Sequence, residues 1–220
     1  AAPAPALWQA VATPGGLSTW QADEVTGEVR AGRTLTLRYP GLGARLVLEV
    51  AAVEPGRRLV LTRGPSRLEL RVGDGAVELE HFGVSAGDEA EGTRSSWRIA
   101  LATLAEAVER YRGQPRTVHA VTGPTRAPAE LCHVFFTDAA ALRRWLLRDG
   151  ALDPAGVAAA VRFAWGAAAT VRIIANSAGR DVALGWDDGA AVIALRTLPS
   201  PRAADERILL ITCSRWGGAL

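Results

Sequence analysis

Lysine and methionine are both missing from this chain of 220 residues, and its 25 basic residues are all arginine. Without lysine there is no P-loop lysine, no Schiff base and no Ser-Lys catalytic pair. Cysteine is nearly missing too, with Cys132 and Cys213 far apart in sequence. Two distant thiols predict small buried apolar side chains in a reducing cytoplasm. Charge of one sign is also lacking: the net charge is +2, and the arginines are scattered rather than blocked. That spread predicts no nucleic-acid partner, which would need a phosphate-binding stripe. No run approaches the ~18 consecutive apolar residues of a membrane helix, so no membrane span is expected. The N-terminal Ala-Ala-Pro-Ala-Pro has neither a basic nor a long apolar region, and reads as a trimmed start rather than a signal peptide.

What is present repeats. LWQAVATPGGLSTW, residues 7–20, is a short helix, a Pro-Gly-Gly break and a second helical turn, and LCHVFFTDAAALRRW, residues 131–145, follows the same plan. Leu17 and Trp20 match Leu142 and Trp145 at one offset, while Thr13 matches Thr137 one residue out, which calls for a single insertion. Downstream, Gly56, Arg57, Leu59 and Leu61 fall over Gly179, Arg180, Val182 and Leu184. His81-Phe82-Gly83 falls over Arg215-Trp216-Gly217. Collinear matches of this kind predict an internal duplication, with units over 1–113 and 114–220.

Five runs of the first unit alternate at period two: RTLTLRY, ARLVLEV, RRLVLT, SRLELRV and AVELEHF. Leu35, Leu37, Tyr39, Leu46, Leu48, Leu68 and Leu70 share one face, and Arg38, Glu49, Arg67, Glu69 and Arg71 share the other, so an antiparallel sheet wet on one side is predicted. TRSSWRIALATLAEAVERY then carries Trp97, Leu101, Leu104, Val108 and Tyr111 at helical spacing, with Ser95 or Ser96 as a cap. Such a helix must cover the apolar face, which otherwise costs roughly 25 cal/mol per Å² left in water. The second unit reads as TVHAVTG, two short helices, then AVRFAW, TVRIIAN, DVALGW, AVIALRT and ERILLITCSRW. It reaches Leu220 with no closing helix, as the first unit lacks an opening strand. Its apolar face is therefore expected to pack on the short helices 127–148, on the other domain or on a second chain in a homodimer, while helix 96–112 stays on the first sheet.

LWQAVATPGGLSTW, GEVRAG, VEPGRRLVLT, LEHFG and SSWRIALATLAEAVERY together resemble the START-like (SRPBCC) superfamily, and within it bacterial relatives of the C-terminal domain of the Hsp90 ATPase activator. The resemblance implies an α+β fold of tandem helix-grip units, each β-α-α-β(6)-α with an apolar cavity between sheet and helix. It implies a hydrophobic small-molecule ligand, with an aromatase/cyclase of polyketide type or an Hsp90-activator-like interaction module as alternatives.

Cavity candidates follow from parity and helical spacing. In the first unit they are Trp20, Leu37, Tyr39, Leu48, Leu61, Leu70, His81, Trp97 and Leu101, and in the second Phe163, Trp165, Leu184 and Trp186. Indole rings on an apolar wall suit a flat ligand. A cyclase would draw on His81, Tyr39 and Arg63 to move protons. His81 is otherwise read as a hydrogen-bonded histidine at the rim. Gly41-Leu-Gly43 and Gly73-Asp-Gly75 lie between strands and are read as hairpin turns. No GxSxG, HExxH or CxxC pattern occurs, and His119 and His133 have no partners at ligand spacing, so no nucleophile, metal or cofactor is assigned.

Overall fold

Pro14 can occupy the first position of a helix because the amide it lacks would have no partner there. In the computed structural model, which describes residues 2–200, 202–203 and 205–217, it opens α2 (Pro14–Ser18) directly after α1 (Ala4–Val11). Thr13 caps α2 by accepting from the Gly16 amide at 2.9 Å. The described chain divides into two units, 2–93 with 103–116 and 94–102 with 117–217.

In the first unit the helices precede six antiparallel strands in chain order: β1 (Glu24–Gly27), β2 (Thr34–Tyr39), β3 (Ala44–Glu54), β4 (Arg58–Arg63), β5 (Ser66–Gly73) and β6 (Ala76–Phe82). The period-two alternation sets the register. Leu35 faces Leu48, Leu59 faces Leu70, and Leu70 in turn faces Leu79. Leu35, Leu37, Val50, Leu59, Leu61 and Leu70 are buried. β1 carries no apolar alternation, and its one half-buried side chain is Val25. On the opposite face Glu69 is only 2% exposed, because Arg58, Arg67 and Arg71 all close on its carboxylate. That face is wet at its margins and covered at its centre.

A long helix, α3 (Asp88–Glu109), follows. It begins ahead of Ser95 and Ser96, which are interior residues rather than caps. Residues 94–102 belong to the second unit and 103–109 to the first. The expectation that helix 96–112 serves only the first sheet is therefore corrected, and polar chemistry is the reason. Ser95 is buried and donates to Asp181, Arg196 donates to Ser96, and Arg98 donates to Ser177 at 2.9 Å. Leu104, Val108 and Tyr111 remain buried, while Trp97 and Leu101 are half-buried.

The second unit runs β7 (Arg116–Thr125), α4 (Ala129–Thr137), α5 (Ala139–Leu142), β8 (Leu147–Asp149), β9 (Ala159–Phe163), β10 (Ala168–Ser177), β11 (Asp181–Trp186), β12 (Ala191–Pro199) and β13 (Arg207–Trp216). The sheet order is β7-β13-β12-β11-β10-β9-β8. One face, with Val161, Phe163, Val171, Leu184 and Leu195, forms a single core with Cys132 and Phe136 of α4, Leu142 of α5, and Leu146, Leu147 and Leu152. The short helices thus do cover the sheet, as expected. The other face, with Asp181, Ala183, Ala194 and Ser214, is buried as well and receives residues 95–98 of α3. The position at which a closing helix was expected, Leu220, lies outside the described residues.

Local geometry recurs between the units. Trp20 donates its indole N–H to the Ala10 carbonyl at 3.0 Å, and Trp145 donates to the Phe135 carbonyl at 3.0 Å. Thr13 caps Gly16 as Asp138 caps Ala141, at 2.8 Å. These pairs share one constant offset, at which Thr13 falls over Asp138 rather than over Thr137. The β3–β4 hairpin breaks register between Val50 and Ala52, and the β10–β11 hairpin between Ile173 and Ala175. Both turn through a glycine of positive φ, Gly56 at 76° and Gly179 at 70°.

Candidate functional site

Between α1, α2 and the end of α3 with the turn after it, the first unit opens a pocket of about 420 Å³. Small-molecule sites fall in the range of roughly 300–1,000 Å³. Ala6, Ala10, Gly15, Gly16, Ala107, Val108 and Pro115 give it apolar walls, and Gln9, Thr19, Arg112 and Gln114 supply polar groups. The space comes from small side chains. At the same offset the second unit carries Leu131, Val134 and Phe135 on α4 over Ala6, Gln9 and Ala10, and Arg144 after α5 over Thr19. Leu131 and Val134 are 48% and 47% exposed, so the same helical hairpin presents bulk in one unit and a hollow in the other.

Backbone proximity shapes the floor. A Cβ at Gly16 would stand 2.1 Å from the Gln9 carbonyl oxygen, so only glycine permits this approach of α2 to α1. At Gly15 a Cβ would meet nothing within 4 Å, because that position faces open space. Thr19 donates its hydroxyl to the Gly16 carbonyl at 2.6 Å. Trp20 lies behind Ala10, tied to that residue's carbonyl.

Charge at the mouth is unbalanced. Arg110 pairs with Glu106 at 3.4 Å, yet among the described residues no carboxylate pairs with the exposed Arg112. Deeper in the unit, burial pulls the Arg116 guanidinium down to about 10, and burial raises the Asp23 carboxyl above its ordinary value.

None of the thirteen residues singled out by parity and spacing lines this pocket. Trp20, Leu37, Leu61 and Leu70 are at most 3% exposed and belong to the packed core. Tyr39 and Leu48 are half-buried towards the β2–β3 end of the sheet. His81 faces Leu68 on the apolar side, and its Nε2 lies 2.6 Å from the Ser66 hydroxyl. Burial pushes its pKa down from the ordinary imidazole value. β3, β4 and β5 separate its strand from that of Tyr39.

In the second unit Phe163, Trp165 and Trp186 do come together. The Trp165 ring stacks on Phe163 at 4.3 Å, and Trp186 leans against Phe163 at 5.1 Å. Phe163 and Leu184 are fully buried, whereas Trp165 is 60% exposed. Both thiols lie in or against the second core, where burial raises their pKa values. Among the described residues no group of three His, Cys, Asp or Glu side chains is placed to hold a metal ion. No helix among them is long and apolar enough to cross a membrane.

The pocket residues escaped the sequence reading because alanine and glycine in a short helix carry no chemical signature of their own. The signal was the difference between the two hairpins once aligned at a constant offset.

No protein-family model matches the chain, and no curated protein matches it. Several solved structures are similar. DynU16, a putative protein of the dynemicin biosynthetic locus, is 21% identical, spans 96% of this chain and 82% of its own, and has a TM-score of 0.43. The protein SSP2350 of Staphylococcus saprophyticus is 19% identical over 50% of this chain and 85% of its own, with a TM-score of 0.44. CalU16 of Micromonospora echinospora is 25% identical over 49% of this chain and 60% of its own, with a TM-score of 0.40.

Proposed function

We propose that this chain is a non-catalytic binder of a hydrophobic small molecule, with its site in the pocket of the first unit. The observation that carries the reading is the hollow itself: a pocket of about 420 Å³ with Ala6 and Ala10 in its wall where the sister hairpin carries Leu131 and Phe135. A reactive constellation does not accompany it. The groups at its edge are two amides, a hydroxyl and a guanidinium, which orient a ligand rather than transform it. The recurrent caps, indole hydrogen bonds and bulges support two diverged helix-grip copies, one of which has kept or gained the hollow. The sheet-facing candidates, among them Trp20, Leu70, Phe163 and Leu184, are proposed as apolar floors beneath the helices of each copy.

The test is a titration of intrinsic Trp fluorescence with a panel of fatty acids, sterols and fused aromatics, on the native chain and on Gly15→Phe. Position 15 has room for a Cβ, so the phenyl group is expected to fill the pocket without unfolding the unit. A saturable response that Gly15→Phe weakens about tenfold or more supports the reading. A panel without any saturable response overturns it.

A further inference from the structure

Apolar walls alone do not say which end of a ligand comes first. Arg112 does. It is the one charged residue among those lining the pocket, and it stands in the turn that follows α3. Its neighbour Arg110 is engaged with Glu106 at 3.4 Å, whereas no carboxylate among the described residues pairs with Arg112. Gln9 and Gln114, also among the lining residues, carry side-chain amides able to donate N–H groups. The Thr19 hydroxyl already donates to Gly16, so it adds no obvious donor.

We propose that the pocket binds a monocarboxylate, its apolar body against the Ala and Gly walls and its carboxylate paired with Arg112. This rests on the pocket being a binding site at all. The planar guanidinium matches a carboxylate with two parallel N–H···O bonds. A single guanidinium with two neutral amides balances one negative charge and leaves a dianion, such as a phosphate monoester, under-neutralised. The pair stands at an open mouth, so its contribution is a preference rather than the bulk of the affinity.

The experiment compares matched ligands: decanoate with decanol, and naphthoate with naphthalenemethanol. Each is titrated calorimetrically into the native chain, Arg112→Gln and Gly15→Phe at low salt. The native chain is expected to prefer each acid over its alcohol by about fivefold, a difference that rising salt erodes. Arg112→Gln is expected to bind acid and alcohol equally while keeping the native affinity for the alcohol. Gly15→Phe is expected to weaken both. Equal binding of acid and alcohol by the native chain overturns the carboxylate assignment and leaves the pocket standing. A preference that survives in Arg112→Gln removes Arg112 from the role. Binding of both ligands that Gly15→Phe does not weaken, or no binding of either, overturns the pocket reading itself.

Discussion

Adjacent glycines in α2 have opposite demands. Gly16→Ala drives a methyl group into the Gln9 carbonyl oxygen at 2.1 Å, and α1 and α2 must separate. A loss of about 1–3 kcal/mol is expected by urea denaturation, the usual scale of overpacking. Gly15→Ala meets open space and gains helix propensity, so its stability should rise by up to about 1 kcal/mol. The single apolar face of the first sheet was legible because period two is a strong signal. The demand at Gly16 was not, since it depends on how closely two helices approach. Glu69 was legible only as an outward residue. Its three arginine partners bury it, and hydrogen bonding from Arg58 comes first in holding its pKa down, from 4.5 to about 2. A carboxylate with a depressed pKa stabilises the fold fully above pH 4.5, and that contribution drains away as pH falls towards 2. Glu69→Gln should flatten this acid limb of the stability curve of the native chain, which equilibrium unfolding at stepped pH will record.

Among the elements, α3 departs most from what its sequence announced. Its apolar stripe was plain, but the stripe alone could not show that residues 94–102 serve one sheet and 103–109 another. The missing information was Asp181, which lies 86 positions downstream of its partner Ser95 and opens the strand run DVALGW with no sign in the sequence of a buried partner. Its carboxylate also accepts from the Thr197 amide at 2.8 Å and draws the Arg196 guanidinium to 3.7 Å. Asp181→Ala leaves a buried hydroxyl and a buried amide without their acceptor, at a cost of about 1–3 kcal/mol for each group so stranded. Hydrogen exchange should quicken across 94–102 and at the β11–β12 pairing, while 103–109 exchanges at its native rate. Uniform exchange along the whole helix would contradict the division of α3. The small residues opposite, Ala183 and Ala194, are consistent with a helix lying close to the sheet.

For the whole molecule, order of elements was legible and allegiance was not. The runs marking the five main strands of each unit, and TVHAVTG, all became strands, because each alternates or is flanked by turn residues. A cut in the chain exposes the difference. A fragment of residues 117–217 bares Asp181, Ala183 and the other α3 partners Ser177 and Arg196, and should bind an apolar dye and aggregate. A fragment of 94–217, which restores the half-helix, should bind less dye and give sharper amide resonances. Equal behaviour of the two fragments would speak against α3 as part of the second unit.

Synthesis gives this arrangement a timetable. Ser95 leaves the ribosome 86 residues before Asp181, which at 5–20 residues per second is a delay of roughly 4 to 17 s. During that interval the first sheet is complete through Phe82, but the leading half of α3, with Ile99 on its buried side, has no surface to dock on. The nascent chain therefore carries a half-finished helix, and slowing translation beyond residue 102 should lengthen that exposure while leaving the first sheet untouched.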